Sequence, residues 1–193
     1  ANLESNQREI LSSVFRSQLP QIKKVEFNVE TQALGENGAP IMITQSEYMR
    51  RMKEMANIQA GMSFYGEMPN MYNLVLNADH KLVKQVLTDA DNSCKAALEP
   101  IESEMANLNN RRKELQKAQE GKKTEDIPQA EKDELNDIEK KISDETTKKQ
   151  AVLGEYANGN KIIHQLIDLA LLQNNMLKGE ALTNFVKRSI ELI

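Results

Sequence analysis

Val25-Glu26-Phe27-Asn28-Val29-Glu30-Thr31 decides the fold class. Val25, Phe27, Val29 and Thr31 fall on one side of an extended chain, while Lys24, Glu26, Asn28 and Glu30 fall on the other. That period of two predicts a half-buried antiparallel strand. The residues before it have a different period. From Glu4 to Leu19, the apolar residues Ile10, Leu11, Val14, Phe15 and Leu19 share one helical stripe, and Pro20 ends it. Downstream, Gly35-Glu36-Asn37-Gly38 has turn chemistry, and Pro40-Ile41-Met42-Ile43 can return as a second strand. Thr44 and Glu47 match a capping box, predicting a helix with Tyr48, Met49, Met52, Met55 and Ile58 that ends near Gly61. A loose stretch from Gly61 to Met71 leads to a third strand, Tyr72 to Leu76. Asn77 or Asp79 then caps a helix carrying Leu82, Val83, Val86 and Leu87.

Residues 98–150 form a different kind of segment. They hold 14 acidic and 11 basic side chains, so 25 of the 54 charges lie in 53 residues. Leu98, Ile101, Met105, Leu108 and Leu115 make a heptad seam interrupted by Arg112, and Leu135, Ile138, Ile142 and Val152 make a second. Gly121 and Pro128 interrupt the helix between them. The pattern predicts a protruding antiparallel helical hairpin, each arm about 35 Å long at 1.5 Å per residue. A charged disordered linker would not keep heptad spacing.

The ending, 151–193, is the most apolar part. Ile162, Ile163, Leu166, Ile167, Leu169, Ala170, Leu171 and Leu172 leave little polar face on their helix, and Gly179 can cap its end. A last helix carries Leu182, Phe185, Val186, Ile190 and Ile193. Two helices cannot hide that much apolar surface on each other alone. They must pack on the preceding block, on a second copy of themselves, or on both. The expected architecture is therefore α+β: a mixed block over 1–97 with a small three-stranded sheet, antiparallel or mixed, then the hairpin over 98–150 and the helix pair over 151–193.

Composition narrows the function. The 193 residues carry 25 basic and 29 acidic side chains, a net charge of −4, which disfavours nonspecific nucleic-acid binding. No apolar run reaches the roughly 20 residues of a membrane-spanning helix, and the start has no signal-peptide pattern. The opening on Ala1, just ahead of a helical pattern, reads as a segment cut from a longer chain. A single cysteine, Cys94, fits a reducing compartment. Neither His80 nor His164 lies at metal-ligand spacing from a second ligand, and no G-x-x-x-x-G-K-[ST] or G-x-G-x-x-G cradle occurs. Catalysis, cofactor binding and metal binding are not expected of these residues. The Met-rich helix has two readings: a core stripe, or an adaptable contact surface that Met62, Phe64, Met68 and Met71 extend.

Tyr72-Asn73-Leu74-Val75-Leu76-Asn77-Ala78-Asp79-His80-Lys81-Leu82-Val83 resembles the N-P-D-H segment of the heat-shock protein 90 family of chaperones, bacterial HtpG type. The likeness extends through the first helix, Val25–Val29 and the Met-rich helix. It resumes in Leu166-Ile167-Asp168-Leu169-Ala170-Leu171-Leu172 and in Asn184-Phe185-Val186-Lys187-Arg188-Ser189-Ile190-Glu191-Leu192. The hairpin stands apart as an insertion. The resemblance implies the C-terminal dimerisation domain of a cytoplasmic, stress-responsive, ATP-driven chaperone. About Lys161–Leu177 and Glu180–Leu192 would pair with their counterparts in a homodimer as a four-helix bundle. Contacts would come from Ile162, Ile163, Leu166, Ile167, Leu169, Leu182, Phe185, Val186 and Ile190. Tyr48, Met49, Met52 and Met55 match the family's client-contact helix, with Met62 and Phe64 beside it. ATP and magnesium would belong to upstream domains of the same chain. Ala78 stands where the family has Pro, and the ending lacks the M-E-E-V-D tail of eukaryotic members. The alternative is a structural coiled-coil adaptor whose 98–150 hairpin binds a partner protein.

Overall fold

A computed structural model describes residues 3–59, 61 and 66–193. Among the described residues the fold is α+β, with six α-helices and one three-stranded mixed sheet. Helix α1 spans Ser5–Ser17 and starts with a capping box: Glu4 is the N-cap, and its N–H donates to Gln7 Oε1 at 2.9 Å. Ile10, Leu11, Val14 and Phe15 are buried, as the stripe predicts. The helix ends before Pro20, where Ser17 Oγ turns back to the Val14 carbonyl at 2.8 Å.

The three strands are β1, Val25–Gln32; β2, Ile41–Gln45; and β3, Asn70–Asn77. Their order differs from the expected hairpin. β3 lies in the middle, parallel to β1 and antiparallel to β2, with Val29 opposite Leu74 and Ile43 also opposite Leu74. The reason is burial. Leu74-Val75-Leu76 is the most continuous apolar run of the three, and all three side chains are at most 2% exposed. A strand buried on both faces belongs at the centre, where both its ladders are paired. The Gly35–Gly38 segment therefore bridges the end of β3 instead of closing a two-strand hairpin.

Asn77 holds that bridge. Its Oδ1 accepts the N–H groups of Leu34 and Asp79, both at 3.1 Å, and its Nδ2 donates to the Gly35 carbonyl at 2.8 Å. The side chain is fully buried. Gly38 lies so close that an added Cβ would sit 2.6 Å from the Leu34 carbonyl oxygen and 3.0 Å from Asn77 Nδ2. Because Asn77 is occupied there, the next helix is capped by His80, whose Nδ1 accepts from the Leu82 N–H at 3.1 Å.

Helix α2, Glu47–Ala56, starts at Ser46. The predicted Thr44–Glu47 capping box does not form, because Thr44 is the fourth residue of β2 and pairs with Asn73. Helix α3 runs unbroken from Lys81 to Gln119 and α4 from Gln129 to Asn158, about 58 and 45 Å at 1.5 Å per residue. Both pass straight through the positions, 98 and 150, where composition changes. They lie against each other, with Arg111 clamping Glu134 at 2.7 and 3.1 Å. Leu108, Leu115 and Ile138 form an outer apolar cluster, as the two seams predict.

Helices α5, Lys161–Gln173, and α6, Glu180–Glu191, complete the chain. The main core brings together α1, the sheet, the inner parts of α3 and α4, and α5. Asn77→Ala would remove the acceptor of the Leu34 and Asp79 N–H groups and one of the two donors to the Gly35 carbonyl, which keeps the Gly38 N–H. It is expected to lower the unfolding free energy by about 2–3 kcal/mol, read as a lower urea midpoint with unchanged slope.

Candidate interaction surfaces

Helix α2 carries the first surface. Ala56 is the one buried residue of its ten. Tyr48 is 67% exposed and Met55 43%, while Met49 and Met52 are half-buried. Ile58, just past the helix end, is 84% exposed. Tyr48, Met55 and Ile58 thus stand at the surface, while Met49 and Met52 are partly covered. Glu47 pairs with Arg50 at 2.8 Å and with Arg51 at 3.0 Å, and these guanidinium groups hold its carboxyl below the ordinary range. The pairs are exposed and contribute little to stability. Lys53 Nζ donates to Asn70 Oδ1 at 3.0 Å, tying the helix to the start of β3. Met62 and Phe64 lie outside the described residues.

The second surface is built by the C-terminal pair. Asn160 caps α5 by accepting the Ile163 N–H at 2.9 Å. Ile163, Leu166, Ile167, Ala170 and Leu171 are then buried within the chain's own core, and Ile162 and Leu169 are half-buried. The residues named from the sequence for one interface therefore divide. Those of α5 mostly face inward. In α6, none of the twelve described residues is buried. Phe185 is half-buried and packs on the core. Leu182, Val186 and Ile190 repeat at four-residue spacing and stay exposed, Ile190 at 70%. Leu172, Leu192 and Ile193 extend the apolar area. Sequence reasoning left these three out of the interface, although Ile193 continues the same helical period.

Polar contacts fasten α6 to α5. Arg188 pairs with Asp168 and its Nε donates to Gln165 Oε1 at 3.3 Å; Gln165 Nε2 donates to Ser189 Oγ at 2.6 Å. Lys161 meets Glu191 at 2.7 Å. Burial pushes the Asp168 carboxyl up, against the downward pull of the Arg188 guanidinium. With Phe185 its main apolar tether, α6 is a helix held largely by these side chains.

The remaining chemical groups are in structural positions. His80 caps α3, and His164 Nε2 lies 2.9 Å from the Asn158 carbonyl. Cys94 is buried, which raises its thiol pKa. Among the described residues, no group of three or more His, Cys, Asp or Glu could hold a metal ion, and no helix is long and apolar enough to cross a membrane. Asp168→Ala leaves Arg188 partly buried without its carboxylate. Hydrogen exchange of α6 amides is expected to accelerate at least about tenfold while α1 and β3 stay protected. Unchanged α6 exchange would show that the Arg188–Asp168 pair does not hold the helix.

Comparison with known proteins places these surfaces in context. The chain is 68% identical over 191 residues to the Chaperone protein HtpG of Bacteroides fragilis and 65% identical over 191 residues to that of Bacteroides thetaiotaomicron. It is 43% identical over 193 residues to that of Porphyromonas gingivalis. Each match takes in 99% of the chain, so the α3–α4 pair is shared with these relatives. No family model matches the chain, and no solved structure matches it significantly. The chain spans 28% of the length of each of these curated relatives. Identity of this level over nearly every residue makes the chain similar, from end to end, to a segment of proteins named as HtpG chaperones.

Proposed function

We propose that this segment is the C-terminal part of an ATP-dependent chaperone, where it joins two subunits and contacts unfolded clients. The observation that carries the reading is α6: an apolar stripe of Leu182, Val186 and Ile190 on a helix with no buried residue of its own. Such a stripe is stable in water when another surface covers it. A second copy provides one by symmetry, because a two-fold axis sets the same face against itself. The α5–α6 pairs of two protomers then make a four-helix bundle, with α5 supplying its rigid base and α6 most of the contact.

Joined this way, the upstream domains of two chains remain at high effective concentration, so their closure around ATP is intramolecular. ATP and magnesium are assigned to those upstream domains; nothing in these residues is assigned to either. The protein works in the cytoplasm, on partly folded chains. Met49, Met52 and Met55 offer them unbranched, repackable apolar side chains on a helix with few anchors, beside the exposed Tyr48 and Ile58. The coiled-coil adaptor is the weaker reading. The inner face of the 98–150 pair is closed by Leu108, Leu115 and Ile138, and relatives named as chaperones share it.

Two experiments test the reading. Sedimentation of the chain across a dilution series is expected to give twice 21.9 kDa. Val186→Glu with Ile190→Glu, both exposed in the protomer, should give the monomer mass with unchanged circular dichroism. A wild-type monomer at every concentration overturns the dimer. For client contact, Tyr48→Asp with Met55→Asp in the full-length chaperone is expected to weaken suppression of client aggregation. Because both side chains are exposed, the melting temperature should stay within about 2 °C. Full suppression by that variant overturns the α2 assignment.

A further inference from the structure

The α3–α4 pair contains two apolar clusters separated by a charged layer. Near the sheet, Leu98 and Leu153 belong to the main core. Farther out, Leu108 and Leu115 meet Ile138, with Leu135 and Ile142 against them. Along α3 the interval from Leu98 to Leu108 is about 15 Å, and along α4 that from Ile142 to Leu153 is about 16 Å. Ile101 and Met105 are half-buried in this interval and join neither cluster. Lys149 fills it instead. Its side chain is 7% exposed, and its Nζ lies 3.3 Å from the Glu9 carboxylate of α1 and 3.5 Å from that of Glu102 on α3.

Residue types that weaken or bend helices fall within this interval on both helices. Pro100 has no N–H to donate to the preceding turn, and its ring crowds the carbonyl four residues back. On the facing helix, Thr146 Oγ1 donates to the Ile142 carbonyl at 2.8 Å and Thr147 Oγ1 to the Ser143 carbonyl at 3.1 Å. Such back-bonds bend helices. Interdigitated apolar layers resist shear because any displacement opens voids. An ionic layer resists it less, since water can replace the contacts it loses.

We propose that this layer is a hinge on which the outer α3–α4 pair swings as a unit, and that Lys149 is its latch, coupling the angle of the pair to α1. Glu9 is the releasable half of the latch. It lies on a different helix from the moving pair, and its side chain is 54% exposed. A displacement of α1 that withdraws Glu9 leaves Lys149 paired to Glu102 within the hinge, and the outer pair then swings freely.

The test is pulsed electron paramagnetic resonance on the intact chain, diluted into excess unlabelled protein so that single protomers are read. Spin labels go on Glu36→Cys in the β1–β2 bridge and Lys123→Cys at the far end of the pair, both exposed. Cys94 is buried and does not take label. The wild type should give one narrow distance distribution. Lys149→Gln, which removes the charge but keeps the layer polar, and Glu9→Gln should each broaden it, by about twofold, and Pro100→Ala should narrow it. A second pair of labels, on Lys117→Cys and Lys140→Cys across the outer helices, should be unaffected by either latch variant. A wild-type distribution in Glu9→Gln overturns the latch. Broadening of the outer pair overturns movement as a unit. If Lys149→Gln does not fold, Glu9→Gln decides alone, because it alters an exposed carboxyl.

Discussion

The fully buried amide of Asn77 is the constraint on which the order of this fold depends. One side chain ends the central strand, closes the bridge that carries the chain from β1 to β2, and sets the turn into the longest helix. A buried amide is costly unless its donors and acceptor are matched. Here Oδ1 accepts twice and Nδ2 donates once within two short segments. That pairing requires β1, β2 and the start of α3 to meet at one point. The sheet order, and the direction in which α3 leaves it, follow.

From that point the apolar residues are divided between the inside and the outside of the protomer. α1, the sheet, α5 and the inner turns of α3 and α4 complete a core with Leu11, Phe15, Leu74 and Ile167. Little apolar surface is left over for α2 or α6. Each is attached by polar side chains, Lys53 to Asn70 in one case and Arg188 to Asp168 in the other. Both therefore present apolar groups outward without unfolding the domain that carries them. The two surfaces are at the edges of the core because the core is already full.

Much of this was legible in the sequence, and the physical reasons for the rest are specific. Local periodicity revealed α1, β1, the Met-rich helix and the two heptad seams, since each pattern is set by neighbours within a few residues. The order β1-β3-β2 was not legible, because strand pairing is a nonlocal choice decided by which strand is buried on both faces. The capping assignments at Thr44 and at Asn77 or Asp79 failed for a related reason: tertiary contacts had claimed those residues. α5 and α6 were read from the sequence as one interface, yet α5 is mostly core and α6 surface. Lys149 had no signal at all, because a buried lysine among hairpin lysines has the same pattern as a solvated one.

β1 has a consequence of its own. It is an edge strand, with one ladder satisfied by β3 and the other open along eight residues. Open edges of this length are templates for sheet growth between molecules. Two β1 strands meeting antiparallel about Asn28 would place Glu26 against Glu30 at both ends, and like charges directly opposed disfavour the pairing. The left-handed residue Lys24, at φ 59°, also turns the chain away just before the strand begins. The exposed edge of β1 thus carries the charges that keep it from pairing with the same edge of another copy.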